Sequence, residues 1–193
     1  RRVLFRSREI VDPGGTYKWL SLMSICMVIL GFVTGFREIV KERPMLDLER
    51  RHGLMFVAYV AAKLAALAVL LAVQVALFRT TVELGFLVRE SLGGDVPAEI
   101  YRRSAIVSAS FNWLAAVACA AIGLVVSACV RTVNKGELAV PLLVTPQILL
   151  GGTIIPIKGG VLKLVAMLFS PLYWAYRGCR SEADGVPTFW QNL

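Results

Sequence analysis

Residues 54–78 read LMFVAYVAAKLAALAVLLAVQVALF, and this run contains a single charged side chain, Lys63. A helix needs about 20 apolar residues, at 1.5 Å rise each, to cross the hydrocarbon core of a bilayer. Three other stretches are comparable in length and apolar content. The sequence therefore predicts an all-α integral membrane protein, a polytopic helical bundle with spanning helices over about 17–36, 54–78, 104–130 and 138–157.

The composition also favours a membrane protein over a soluble one. Hydrophobic residues make up 57% of the chain, and the mean hydropathy is +0.68, which is outside the usage of soluble globular domains. The net charge is +8. The basic residues lie mainly between apolar runs and lack the interleaved aromatic residues that bind single strands. We therefore expect the lipid bilayer as a partner, and no nucleic acid.

The chain carries few groups suited to metal or cofactor chemistry. Of its four cysteines, three lie inside apolar runs, where a thiol behaves as a small hydrophobe. The single histidine and the lack of a CxxC pair predict no metal site. The phosphate-binding pattern G-x-x-x-x-G-K-[ST] is also absent from the sequence. We expect no cofactor in this chain and no enzymatic activity of its own.

A charged segment, 37–53, separates the first two apolar runs and reads REIVKERPMLDLERRHG. Its first residues can continue the first spanning helix into water. Pro44 then suits the opening of a new helix, because its missing N–H would be unpaired there anyway, and Gly53 suits a helix end. The pattern predicts a separate short helix over 45–52.

The loops predict an orientation in the membrane. Residues 37–53 and 131–137 fall on one side and carry seven Lys or Arg, whereas 79–103, on the other side, carries four. The excess of positive charge favours the cytoplasm for the first side.

The last apolar run is interrupted by Pro141, Pro146, Gly151, Gly152 and Pro156. Such breaks occur at membrane depth only where protein or water satisfies the backbone. Residues 164–176 are uncharged but too short to span, and they end in SPLYWAY, whose aromatic side chains suit a membrane interface. We expect a re-entrant or interfacial element over about 158–178, on the outer face.

Several motifs in their order along the chain resemble the ABC type-2 export permeases. They are REIVKER and LERRHG followed by Tyr59 and Lys63, then GLVVSA (123–128), PLLVTPQILLGGTIIP (141–156) and SPLYWAY (170–176). The resemblance covers about 17–178 and is closest to G-subfamily half-transporters and their bacterial relatives fused to an ATPase domain. It implies a multi-pass protein of the cell membrane, the bacterial inner membrane in particular.

The resemblance implies roles for particular residues. The helix 45–52 would be the coupling helix that docks on the ATPase domain, and the re-entrant element would begin at Gly151, Gly152 and Pro156. ATP and Mg would bind in that ATPase domain, and a second permease half, as a homodimer, would be a further partner. The implied coupling and transmission residues are Glu38, Glu42, Arg43, Met45, Leu46, Glu49 and Arg50.

The resemblance also implies six spanning helices, of which this chain would hold four. The first seven residues, RRVLFRS, are what a sequencing-adapter string would encode, and we exclude them from fold reasoning as a read-through scar. Residues 8–193 are then a partial transmembrane domain.

Several polar residues inside apolar runs have two interpretations. Lys63 can snorkel towards the headgroups or pair with a carboxylate of Glu38 or Glu42. Polar side chains of this kind most often form a hydrogen bond to another helix. A broken helix that lines a cavity also suits a translocation path. The residues concerned are Gln74, Asn112, Thr145 and Gln147. Small residues near 115–123 indicate close helix packing. The candidate path residues are Asn112, Thr145, Pro146 and Gln147.

The predicted function is a permease domain that moves an amphipathic or lipid-like substrate with motion received from an ATPase. One alternative is a non-transporting anchor or sensor whose charged loop binds a cytoplasmic partner. An intramembrane enzyme is a weaker one, because no plausible catalytic cluster lies at membrane depth. We expect the natural upstream DNA to encode an ATPase domain with a phosphate loop; a signalling or adhesion domain there would contradict export.

Overall fold

The computed structural model describes residues 13–52, 55–93, 105–130, 133–152 and 160–183. The described part is helical and contains no strand, so the predicted all-α fold is confirmed. Its helices are α1 (Pro13–Arg51), α2 (Phe56–Ser91), α3 (Ala105–Cys129), α4 (Val133–Leu150), α5 (Val161–Phe169) and α6 (Pro171–Ala183). The adapter assignment, 1–7, lies outside the described residues.

Three helices of the described part are long and apolar enough to cross a membrane, namely Lys18–Glu42 within α1, all of α2, and Ile106–Cys129 within α3. They correspond to the first three predicted spans. The fourth differs, because the apolar part of α4 is only Val140–Leu150. At 1.5 Å per residue this part is about 16 Å long, and residues 153–157 of the predicted span lie outside the described part.

The first helix does not end where the sequence predicted. The structure continues α1 through Pro44 to Arg51, so 45–52 is mostly the end of a long helix and not a separate short one. Proline removes one backbone hydrogen bond but has a φ that is compatible with a helix. Leu46, two residues later, is 5% exposed and packs in the same core cluster as Met27 and Leu67. This packing offsets the lost hydrogen bond.

Helices α1 and α3 approach each other very closely. A Cβ atom added at Gly31 would overlap the carbonyl of Ala116, and one added at Gly35 would overlap the carbonyl of Ala120. From the other side, a Cβ added at Gly123 would lie 3.0 Å from the backbone nitrogen of Phe36. The predicted close packing of the small residues in the third run is therefore confirmed. On α1, the GxxxG motif formed by Gly31 and Gly35 supplies the other side of this contact. We did not identify this motif from the sequence.

Two core clusters lie on either side of this contact. One joins α1, α2 and α3 around Met27 and Leu71, and the other joins α1, α3, α4 and α6 around Phe32 and Leu172. Helix α1 therefore occupies the centre of the described bundle. Helix α2 lies at its edge and exposes many large apolar side chains, as expected of a surface in contact with lipid.

We predict that replacing Gly31 and Gly35 by alanine separates α1 from α3. The added methyl groups would overlap carbonyl groups, and overpacking of this kind costs about 1–3 kcal/mol per site. Thermal unfolding in detergent should show a lower Tm. Gly85→Ala is the matched control, because no atom lies within 4 Å of the added Cβ and alanine favours a helix. Equal Tm values for the two proteins would contradict the close contact.

Candidate functional site

Four side chains at the junction of α1 and α2 form a charged cluster. Lys63 Nζ lies 2.6 Å from Glu42 Oε1 and 3.2 Å from Glu38 Oε2. The hydroxyl of Tyr59 donates a hydrogen bond of 2.7 Å to Glu42 Oε2. We call these residues, Glu38, Glu42, Tyr59 and Lys63, the Lys63 cluster.

The spacing of these residues along the chain produces the cluster. Glu38 and Glu42 are four residues apart on α1, and Tyr59 and Lys63 are four apart on α2, so each pair lies on one helical face. In the structure these two faces lie against each other. The ammonium group of Lys63 also lies 5.9 Å from the centroid of the Tyr59 ring, within the range of a cation–π contact.

The structure decides between the two interpretations of Lys63 in favour of pairing. Its side chain is 21% exposed, and those of Glu38 and Glu42 are 34% and 38% exposed. A lysine in an apolar helix is costly unless it is paired, and here two carboxylates face it. The cluster therefore brings two carboxylates and one ammonium group into contact.

A serine on α3 holds α1 at the same level. The backbone N–H groups of Ile39 and Val40 donate hydrogen bonds of 3.1 and 2.9 Å to Ser127 Oγ. Ser127 is buried, and the two backbone donors lie between Glu38 and Glu42 in the sequence. Our reading of the sequence missed this contact, although the serine belongs to the GLVVSA motif. Three helices are therefore joined where α1 becomes charged.

Beyond the Lys63 cluster, the end of α1 presents an apolar surface. Met45 is 65% exposed and Leu48 is 59% exposed, whereas Leu46 between them is buried. The ring of His52 contacts the carbonyl of Leu48 through Nδ1 at 2.9 Å, which satisfies a carbonyl at the helix C-terminus. The side chains of three predicted coupling residues lie outside the described ones: Arg43, Glu49 and Arg50.

The predicted path residues have different partners in the structure. Asn112 is 5% exposed, and its Nδ2 lies 3.8 Å from Cys179 Sγ on α6. Thr145 donates a hydrogen bond to the Pro141 carbonyl of its own helix, next to Pro146, which lies inside α4. These contacts join helices or satisfy a carbonyl. The translocation role remains a prediction.

Gln147 connects α4 to the turn between α5 and α6. Its Nε2 donates a hydrogen bond of 2.7 Å to the carbonyl of Phe169. Two buried amide oxygens, Asn112 Oδ1 and Gln147 Oε1, have no hydrogen-bond partner among the described residues, and Gln74 Oε1 on α2 is a third.

The predicted re-entrant element begins with a close contact. A Cβ atom added at Gly151 would lie 2.6 Å from Leu172 Cδ2 on α6, and Gly152 has a φ of +70°, which favours glycine. The chain therefore turns immediately after α4, and α5 and α6 follow. Trp174 donates a hydrogen bond of 2.8 Å to the Met167 carbonyl, which holds these two short helices together. Pro156 lies outside the described residues.

The comparison with known families agrees with this architecture. The family model described as ABC-2 type transporter matches residues 5–182. The chain belongs to the ABC-2 type transporter family. No curated protein and no solved structure gives a match. As an ABC-2 permease domain, the chain is a multi-pass membrane protein of an ABC transporter, which confirms the predicted family and its membrane and transport assignment.

The ABC-2 permease has no evident metal-binding arrangement in the part that the structure describes. No group of three or more His, Cys, Asp or Glu side chains is close enough there to hold a metal ion. The expectation that this chain uses no cofactor of its own remains a prediction.

We predict that Lys63→Met destabilises the permease, because it leaves two carboxylates facing each other without a cation. Because the two carboxylates are about one third exposed, water replaces part of the lost contact, and the expected cost is about 0.5–1.5 kcal/mol, seen as a lower Tm in detergent. Lys18→Met is the control, since Lys18 is exposed near the start of α1, far along the helix from the cluster.

A double-mutant cycle isolates the pair. Combining Lys63→Met with Glu42→Gln should recover part of the loss, because Glu38 then no longer faces a second carboxylate. Strict additivity of the two single effects would show that the contact contributes nothing to stability.

Proposed function

We propose that this permease domain belongs to an exporter in which an ATPase domain docks on the end of α1, and that the Lys63 cluster carries the resulting motion into α1 and α2. The proposed cargo is amphipathic or lipid-like. The ATPase domain, fused or separate, binds ATP and Mg, and two permease halves form a homodimer in the cell membrane, the bacterial inner membrane in particular.

The observation that carries the proposal is the continuity of α1. A single helix runs from the membrane core through the Lys63 cluster to the exposed apolar residues Met45 and Leu48. A force applied at those residues therefore acts on the same rigid element that packs against α3. A separate short helix would need a further joint to transmit the motion.

The Lys63 cluster gives the motion a second route. Because Lys63 and Tyr59 lie on α2 and both contact Glu42 on α1, a displacement of α1 at this level also displaces α2. Ser127 extends the connection to α3. A push on one helix end thus reaches three helices through polar contacts, which are more directional than apolar packing.

The apolar surface at the end of α1 supports docking of a protein. Exposed methionine and leucine side chains outside the hydrocarbon core are unfavourable in water, and such patches commonly mark interaction sites. Methionine is well suited to such a contact because its side chain is flexible and polarizable. The partner that fits the family is the ATPase domain.

We predict that Met45→Ser combined with Leu48→Ser uncouples the complete transporter. In liposomes with its ATPase domain, we expect transport of a lipid-like fluorescent cargo to fall at least about tenfold, because loss of buried apolar area weakens docking, while the protein still folds. Leu92→Ser is the control, since Leu92 is 82% exposed beyond the other end of α2. Unchanged transport coupled to ATP hydrolysis in the double variant would rule out docking at this surface.

Glu42→Gln separates transmission from docking. This substitution keeps the size of the side chain but removes the charge that contacts Lys63 and Tyr59. We expect ATP hydrolysis to persist while the number of cargo molecules moved per ATP falls several-fold. The anchor or sensor alternative predicts instead that no variant of the complete protein moves cargo and that binding of a cytoplasmic partner changes.

A further inference from the structure

An apolar groove of about 450 Å³ lies between α2 and α3, away from the Lys63 cluster. This volume falls within the usual range of small-molecule sites. Alanine and valine side chains of α2 form one wall, and α3 forms the other. The residues that line most of its length are Ala72, Val75, Ala76, Ala109 and Trp113.

The polar atoms along the groove are mostly satisfied within their own helices. The Thr80 hydroxyl donates to the Leu77 carbonyl, and the Ser110 hydroxyl donates to the Ile106 carbonyl. Trp113 Nε1 donates a hydrogen bond of 2.9 Å to the Ala68 carbonyl, which fixes the indole ring between the two helices. The walls therefore present hydrocarbon to any occupant.

One end of the groove carries two opposite charges side by side. Arg79 and Glu83 both line it, and Arg79 Nε lies 3.2 Å from Glu83 Oε1. The Arg79 side chain is 11% exposed and that of Glu83 is 41% exposed. The predicted span of α2 ends at Phe78, so this pair would lie at headgroup depth.

The apolar part of the groove fits within one leaflet of a bilayer. From Ala72 to Arg79, where the charged pair begins, the helix advances seven residues, about 10 Å at 1.5 Å each. Half of a hydrocarbon core of about 30 Å is about 15 Å. An acyl chain that begins at the charged pair would therefore extend along the whole apolar wall.

We propose that this groove binds one zwitterionic phospholipid of the bilayer, with its phosphate at Arg79, its headgroup amine at Glu83 and one acyl chain along the apolar wall between α2 and α3. The adjacent cation and anion match the two charges of such a headgroup. An anionic lipid would match Arg79 but meet the carboxylate of Glu83, and the single neutral hydroxyl of a sterol would add no charge opposite to either member of this ion pair. The bound lipid would fill the space beside α2, the spanning helix least buried in the bundle.

The test uses the complete transporter in nanodiscs, with a phosphatidylethanolamine probe that carries a photoreactive diazirine near the middle of one acyl chain. After irradiation, we expect the probe to label α2 and α3 near Ala72 and Trp113. Ala76→Trp fills the groove and should reduce labelling at least about fivefold, as should Arg79→Gln. Leu77→Trp is the matched control, since Leu77 is 61% exposed on the same helix and does not line the groove.

Glu83→Gln tests the headgroup assignment without depending on folding. It removes the anion and should raise labelling by the corresponding phosphatidylglycerol probe relative to phosphatidylethanolamine by at least threefold, a change of preference that misfolding would not produce.

Three results would overturn the proposal. The first is equal labelling of the unaltered protein by the phosphatidylethanolamine and phosphatidylglycerol probes. The second is labelling that Ala76→Trp does not reduce. The third is no labelling near Ala72 and Trp113, which would mean that another part of the transporter covers the groove. The Met45→Ser and Leu48→Ser protein should still bind the lipid, so failure of docking and failure of lipid binding are distinguishable.

Discussion

The close backbone contact between α1 and α3 is the constraint on which the rest of the structure depends. In a bilayer, helices gain little from burying apolar surface against each other, because lipid tails are as apolar as leucine. Association then depends on van der Waals contact, and Gly31 and Gly35 permit it by leaving space for the backbone at Ala116 and Ala120. The position of α1 at the centre follows from this contact, and the other helices pack around the α1–α3 pair.

The Lys63 cluster has a different physical basis from the rest of the bundle. A single lysine in the apolar α2 would be costly at membrane depth, yet two carboxylates of α1 contact it, and Tyr59 of α2 donates a hydrogen bond to one of them. The contact is directional, because ion pairs and hydrogen bonds weaken when their geometry changes. It lies next to the Ser127 contact, so polar contacts from α1 to both α2 and α3 occur where α1 leaves the apolar region.

Helix α2 has two kinds of neighbour along its length. Near its start it is tied to α1 by charges, whereas further along it faces α3 across the groove that ends at Arg79 and Glu83. The first region suits transmission of motion, and the second suits an acyl chain. From Lys63 to Ala72, these regions are separated by about one leaflet along α2. Of the three described spanning helices, α2 is the least buried in protein and therefore the most open to lipid.

The sequence by itself determined the membrane fold, three spanning helices and the family, because hydropathy is a local property and the motifs stand in a fixed order. It also placed the charged residues near Lys63, but it left pairing and snorkelling both open. The tertiary structure decided that choice, the continuation of α1 through Pro44, the role of the GxxxG motif and the contact of Ser127 with α1. Each of these features depends on the distance between residues that are far apart in the chain, such as Val40 and Ser127. That distance cannot be predicted from local sequence patterns.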